Sequence, residues 1–508
     1  MVVDRRSLLG SLVGGLLAST ASRALSFKPP SCQAHKSSDR LVVDVHCHIL
    51  NVRDVDRDAF VKRRILELDE NRSIGALVVS AFAQLGYASA YLNTHTMASE
   101  LEFIARNQKT WLRQPEAFCL PGPTDRTKVF GTEYEFSSPS GGAKPLAGMM
   151  NGRLANTVRM MHEYPTVDLF TPSMVDFYEG AENWYSENDT MSVVYERISQ
   201  ATFGRILPMV SFHPQRQADL QHREERLTPL GLVKKSIKDR NFVGVKLHPS
   251  VGYGPGGNAK LACPNSKRNR SVQVDQYRKR YGDRLDRALW ELFEYCADNE
   301  VPILTHGSPG IPAYAACMKP EGVAPEEWLY APLQWAAVLE QMKRRNPAKP
   351  LRICLGHFGG AFSSHSYWHP WMNNLLQAMS DHPSLYADLS IQSGLFDSDS
   401  GRRKALRSQF TKLYEDNKVL SQQSIYGSDW HMAEVATIGP AYLTDLMELV
   451  PASSRNRVFG LNAAEFLGLQ KGRANRARIQ DYMRWLEKKG RMPEGYQPAW
   501  MSKVDALT

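Results

Sequence analysis

Cysteine is scarce and shows no pairing pattern. The seven cysteines of this 508-residue chain, Cys32, Cys47, Cys119, Cys263, Cys296, Cys317 and Cys354, include no CxxC pair and no zinc-finger spacing. An odd number at irregular intervals excludes a disulfide framework, leaving room for one bridge among the loop residues Cys119, Cys263 and Cys317 after export. Cys47 and Cys354 fall in predicted strands and read as buried packing residues. No apolar run is long enough to span a bilayer comfortably. No charge of one sign dominates either: 62 Lys and Arg against 53 Asp and Glu leave a formal charge of +9. The basic clusters Lys267-Arg268-Asn269-Arg270 and Arg278-Lys279-Arg280 carry no interleaved aromatics, so no nucleic-acid partner is expected. The chain also lacks a GxGxxG after its first strand, a Walker lysine arrangement and any internal repeat. These absences count against a dinucleotide fold, a phosphate cradle and a solenoid.

What remains has the composition of a globular enzyme, 43% hydrophobic and 23% charged. Residues 1–24 read as an export signal: Arg5-Arg6 leads an apolar stretch from Leu8 to Ala18, and Ser22-Arg23-Ala24 offers small residues for cleavage. The arginine pair before Ser7-Leu8-Leu9 resembles a twin-arginine signal, although Asp4 precedes it. A periplasmic enzyme is expected, with a Sec signal or a retained anchor as the alternatives. Removing the segment lowers the positive excess by two. Residues 25–40, polar and containing Pro29-Pro30, read as a linker.

The stretch around which the chain is organised follows: Val42-Val43-Asp44-Val45-His46-Cys47-His48. Its β-branched start predicts a buried strand, and alternation places His46 and His48 on one face with Cys47 on the other. Such a pair is either half of a metal site or a hydrogen-bonded buried pair. After it, residues 50–164 read as a largely helical insertion, with helices expected at Asp58–Asn71, Gly75–Leu92, Met97–Arg113 and Arg153–His162 and a Gly/Pro-rich connector from Pro121 to Pro145. The insertion would either cover the mouth of the site or decorate its periphery. From Val167 onward short apolar runs alternate with helical stretches. Counted with the first strand they number eight, which predicts an α/β fold of the (β/α)8 TIM-barrel class; an open doubly wound sheet is the alternative. A helical extension is expected from Thr437 to about Leu486, residues 470–508 forming a C-terminal helix and a tail draped on the surface.

Polar residues end these runs with unusual regularity. His46 and His48 close the first, His213 the third, Lys246 and His248 the fourth, His306 the fifth, His357 the sixth and Asp429 the eighth. In a closed barrel the C-terminal strand ends share one mouth, so these groups would meet. Three imidazoles and a carboxylate suit a divalent first-row ion, zinc above all.

The pieces Asp44-Val45-His46-Cys47-His48, Gly244-Val245-Lys246-Leu247-His248-Pro249, Leu304-Thr305-His306, Leu355-Gly356-His357-Phe358-Gly359-Gly360, Tyr426-Gly427-Ser428-Asp429-Trp430 and Asn462-Ala463-Ala464 together resemble the amidohydrolase superfamily. Within it they resemble the amidohydrolase-related family of metal-dependent hydrolases and decarboxylases. The resemblance runs from about Leu41 to Leu469. It implies one zinc ion held by His46, His48, His306 and Asp429, with His357 as an acid/base group and Asp429 also placed for general-base work. For Lys246 it implies a carbamylated lysine bridging two metals; the alternative favoured here is that Lys246 binds a substrate carboxylate or merely pairs with an acid. His248 is expected to contact substrate, and His213 to serve structure or function at the rim. His365, His369 and His431, with Trp368, Trp371 and Trp430, would form a substrate wall or ordinary loop packing, and the loop Gly252 to Gly257 a lid.

The expected activity is hydrolysis of an amide, lactone or ester carbonyl by metal-activated water. Nonoxidative decarboxylation on the same barrel is the alternative, and a noncatalytic exported binding protein a third. The expected partner is a small-molecule substrate, with no stable membrane span after signal cleavage; a homo-oligomer is compatible with the sequence.

Overall fold

The computed structural model describes residues 33–34, 39–54, 96–113, 117–118, 152–176, 184–220, 227–249, 253–260, 274–308, 330–362, 370–397, 399–430, 439 and 441–507. The export signal, the predicted helices at Asp58–Asn71 and Gly75–Leu92, the connector Pro121–Pro145, Cys32, Cys119, Cys263 and Cys317, and His365, Trp368, His369 and His431 lie outside them.

Among the described residues eight short parallel strands carry the fold: β1 (Val43–Cys47), β2 (Leu169–Pro172), β3 (Met209–Ser211), β4 (Gly244–Leu247), β5 (Ile303–Thr305), β6 (Ile353–Leu355), β7 (Leu385–Asp388) and β8 (Ser424–Ile425). β3 to β8 form one continuous parallel sheet, and β1 pairs with β2. The two seams between these pieces are also bonded. Phe170 bridges Ile206 and Ser173 bridges Met209, with Leu207 donating to Phe170 O at 3.0 Å. Across the other seam Val45 donates to Tyr426 O at 3.2 Å, and Cys47 bridges Trp430. The ladder therefore returns to its start, which is the closed (β/α)8 barrel that the eight apolar runs predict. Closure leaves no free strand edge within the ring.

Alternation along β1 sorts its side chains. Val43, Val45 and Cys47 are buried against the surrounding helices, while Asp44, His46 and His48 turn to the barrel interior. The helices are α1 (Met97–Trp111), α2 (Arg153–Glu163), α3 (Trp184–Ala201), α4 (Pro214–Leu220), α5 (Pro229–Asp239), α6 (Val274–Asp298), α7 (Pro332–Arg345), α8 (Pro370–Asp381), α9 (Ser400–Asp416), α10 (Lys418–Gln423), α11 (Tyr442–Leu449), α12 (Asn462–Leu467), α13 (Ala474–Lys488) and α14 (Ala499–Leu507). Local chemistry starts several of them. Thr228 accepts from Gly231 N at 3.1 Å ahead of Pro229, and Asp399 accepts from Arg402 N at 2.9 Å.

The described part of the insertion divides in two. α1 packs on α3 at the barrel's flank. α2 serves as the helix of the first strand–helix unit: Trp430, beyond β8, donates its indole N–H to Glu163 at 2.7 Å, and the Arg159 guanidinium lies 5.4 Å from its ring. At the start of α2, Arg153 is fully buried between Asp54 and Glu100, joining the loop after β1 to α1. The linker is not wholly without structure, since Gln33–Ala34 pairs antiparallel with Ala117–Phe118.

The tail corrects an expectation. α14 is not draped on the surface: Trp500 is fully buried and donates to Gly204 O at 2.9 Å, while Lys503 reaches Asp168 at 2.7 Å. Asn475 on α13 donates to Val243 O at 2.8 Å. Gly204, Val243 and Asp168 all precede strands, so the extension closes the end of the barrel opposite the site. Trp500 carries enough apolar area to drive this docking, which proline content near the tail concealed. Asn462 of the Asn-Ala-Ala segment donates to Ser424 O at 2.8 Å and fastens the start of β8. Among the described residues no helix is long and apolar enough to cross a membrane.

Candidate metal centre

β1 delivers its two imidazoles to the mouth, and glycines make the space. A Cβ on Gly427 would lie 2.7 Å from the Cβ of His46, and one on Gly356 would lie 3.1 Å from its ring. The two strand ends opposite bend sharply to aim their side chains. His357 and Asp429 are both left-handed, at φ 63° and 50°. Such backbone costs roughly 1–2 kcal/mol per non-glycine residue and persists where surroundings enforce it. The His357 N–H donates to Asp388 at 3.0 Å and its carbonyl accepts from Gln392 at 3.1 Å; Asp429 N donates to His46 O at 2.6 Å.

The hydrogen bonds define which ring nitrogens carry protons. His46 Nδ1 lies 2.8 Å from Asp388 Oδ2, and His48 Nδ1 3.1 Å from the Ser173 carbonyl. Both partners accept, so both imidazoles hold the proton on Nδ1 and turn Nε2 inward. His46 Nε2 meets the Lys246 ammonium at 2.7 Å and stands 3.8 Å from Asp429 Oδ1; His48 Nε2 is 3.3 Å from the same oxygen. His357 Nδ1 is 3.9 Å from Asp429 Oδ2. His306 adjoins the group through His357, with 3.0 Å between its Nδ1 and His357 Nε2, and its own Nε2 3.0 Å from Ser308 Oγ.

Burial favours the uncharged form of His46 and His357. It is the leading cause that lowers the proton affinity of His46 and His357, reinforced by Lys246 for the first and by His306 and His46 for the second. Lys246 itself is brought down to about 8, burial outweighing the attraction of Asp388 and Asp429. Neutral imidazoles are the form that binds a metal.

One ligand atom each from His46, His357 and Asp429 lies within 4.8 Å of the others. That separation and donor chemistry fit a first-row divalent ion, as does His48, whose inward nitrogen faces the Asp429 carboxylate. Two electron-pair donors held so close need a positive centre between them, a proton or a metal ion. An ion reaching His46 would take the place of Lys246 Nζ at that nitrogen.

Of the residues expected at the site, His46, His48, Lys246, His306, His357 and Asp429 come together. His248 stands at the margin, its ring 6.4 Å from that of His48. His213 is buried at the third strand end and packs edge-on against Tyr253 at 5.8 Å. The described part of the expected lid is fastened: Gly254 N donates to Asn258 at 2.8 Å, and Asn258 N donates to Asp286 on α6 at 3.1 Å. Trp371 and Trp430, proposed for a substrate wall, are buried. Two residues escaped the sequence reading, Asp388 and Ser390 at the end of β7. The signal was an acid closing the run Leu385-Tyr386-Ala387-Asp388, inconspicuous beside the histidines. Asp44 belongs to the first-strand motif. Buried beneath His46, it is raised to about 7 by desolvation against two hydrogen bonds from Ser428.

A sequence model described as Amidohydrolase matches residues 197–469, more than half of the chain. The chain belongs to the amidohydrolase family. The match takes in every strand-end residue of this amidohydrolase from His213 to Asp429. Among curated proteins none matches it. Among solved structures, 4-oxalomesaconate hydratase from Rhodopseudomonas palustris aligns at 12% identity over 89% of this chain and 100% of the other, with a TM-score of 0.38. 5-Carboxyvanillate decarboxylase from Sphingomonas paucimobilis aligns at 12% identity over 84% and 99%, TM-score 0.36. A probable 2-pyrone-4,6-dicarboxylic acid hydrolase from Acinetobacter baumannii aligns at 12% over 62% and 88%, TM-score 0.34.

Proposed function

We propose that this amidohydrolase is a metal-dependent hydrolase acting on an amide, lactone or ester carbonyl of a small molecule. The carrying observation is the convergence of His46, His48, His357 and Asp429 from three strand ends on one buried point. His46, His48 and Asp429 would hold the ion, with His306 as the further nitrogen in the reading favoured by the sequence. When bound, the ion supplies a Lewis acid and lowers the pKa of water toward about 7. Asp429 would accept the proton of the attacking water, and His357 would return a proton to the leaving group. Lys246, buried and cationic, is suited to a substrate carboxylate, and His248 to the substrate's outer end. The same lysine favours a second reading, nonoxidative decarboxylation, in which a carboxylate is the reacting group.

Zinc is the ion proposed, one per chain, and export through a twin-arginine-like signal is the proposed route to the periplasm. The test is turnover of a panel of lactones, esters, amides and carboxylated aromatics before and after chelation, with zinc and manganese added back. Hydrolysis lost on chelation and restored by metal supports the reading. CO2 release in place of hydrolysis shifts it to the second, and full turnover by metal-free protein overturns both.

A further inference from the structure

Asp388, at the end of β7, bonds to both His46 and His357. Its Oδ2 accepts from His46 Nδ1 at 2.8 Å. Its Oδ1 accepts three donors: the N–H of His357 at 3.0 Å, the N–H of Ser390 at 3.0 Å, and the Ser390 hydroxyl. That hydroxyl lies 2.9 Å from His357 Nδ1 and 3.2 Å from His46 Nδ1. The carboxylate is fully buried, with Gly356 and Gly427 beside it.

We infer that Asp388 is a positioning residue that sets the ring tautomers of both His46 and His357, directly for the first and through Ser390 for the second. The bonding leaves one arrangement. The carboxylate can only accept, so His46 carries its proton on Nδ1 and presents a bare Nε2. Ser390 spends its single proton on Asp388, so its oxygen accepts from His357, whose Nδ1 is also protonated and whose Nε2 is bare. His306 then donates from Nδ1 to His357, and its Nε2 accepts from Ser308. One buried carboxylate thereby orders three imidazoles and also clamps the left-handed backbone of His357. Outer partners of this kind raise a ligand's basicity and typically account for about 10–100-fold in metal affinity.

The inference rests on the metal-site reading only for its affinity arm. In the full chain, Asp388→Asn keeps its shape. The three donors converging on Oδ1 hold the amide oxygen on that side and turn the amide nitrogen toward His46 Nδ1. His46 is then forced to the Nε2–H form, the wrong one for a ligand. Ring nitrogen NMR on metal-free protein labelled at histidine, with signals assigned through His46→Gln and His357→Gln, should show Nδ1–H forms for both residues in the wild type. Asp388→Asn should convert the His46 signal, while Ser390→Ala should perturb His357 and leave His46 as it was. Zinc affinity should fall about 10–100-fold in Asp388→Asn. A wild type with His46 in the Nε2–H form, or an Asp388→Asn protein with native circular dichroism, unchanged His46 signals and unchanged zinc affinity, would overturn the inference. Should the wild type bind no zinc, the metal reading fails, and the tautomer measurement still decides the role of Asp388.

Discussion

His357 stands between His46 and His306: its ring centroid is 4.9 Å from that of the first and 4.5 Å from that of the second. Two imidazoles thus compete for one role, and the family resemblance names His306 as the ligand while the nearest trio contains His357. If His306 is a ligand and His357 the acid/base group, His306→Ala should lower zinc affinity by about 100-fold or more. His357→Ala should then leave zinc bound and reduce kcat by about 10²–10⁴-fold. Zinc content after dialysis against a competing chelator, measured beside turnover, distinguishes this from the reverse assignment.

Gly427 is the tightest point beside the site. An alanine there places a Cβ 2.7 Å from the Cβ of His46, on the first strand, where neither partner can rotate away. Gly427→Ala is expected to displace His46 and cost about 1–3 kcal/mol of stability through overpacking, with loss of metal affinity. Denaturant unfolding of the metal-free protein reads the first effect and zinc titration the second.

Arg153 sits between Asp54 and Glu100, all three buried, with Asn51 beside them. Removing the guanidinium leaves two carboxylates facing each other without a cation. Arg153→Met should destabilise the protein by about 3–5 kcal/mol. Replacing all three by apolar residues of similar size should restore much of that loss. Thermal melting of both variants tests the pair of statements.

His213 makes stability depend on acid. Burial, assisted by Arg216 and opposed by Asp176, depresses it from 6.5 to about 4. A group whose folded pKa is depressed contributes stability that is present above its unfolded pKa and lost as pH falls through the folded one. Between pH 6.5 and 4 the wild type should therefore lose about 3 kcal/mol on this account. His213→Phe, which keeps a ring against Tyr253, should flatten that part of the profile whatever its effect at neutral pH. Urea midpoints across the range give the comparison.

The sequence by itself determined the eight strands, because each is a short apolar run set among helical stretches, and most of them end on a histidine or an acid. It also determined which histidines face the mouth, since alternation along β1 forces His46 and His48 to one side. What it left open was decided by contacts across hundreds of residues. Asp388 reads as an ordinary strand-end acid until β7 places it 2.8 Å from a histidine 342 positions earlier. The tail reads as a Pro-containing segment draped on the surface until Trp500 finds the carbonyl of Gly204. The order His46, His357, His306 around the mouth follows from the barrel's curvature and from the left-handed turn at His357, neither of which is written in local propensity. Periodicity fixes the direction of a side chain relative to its own strand; only closure of the ring fixes what it meets.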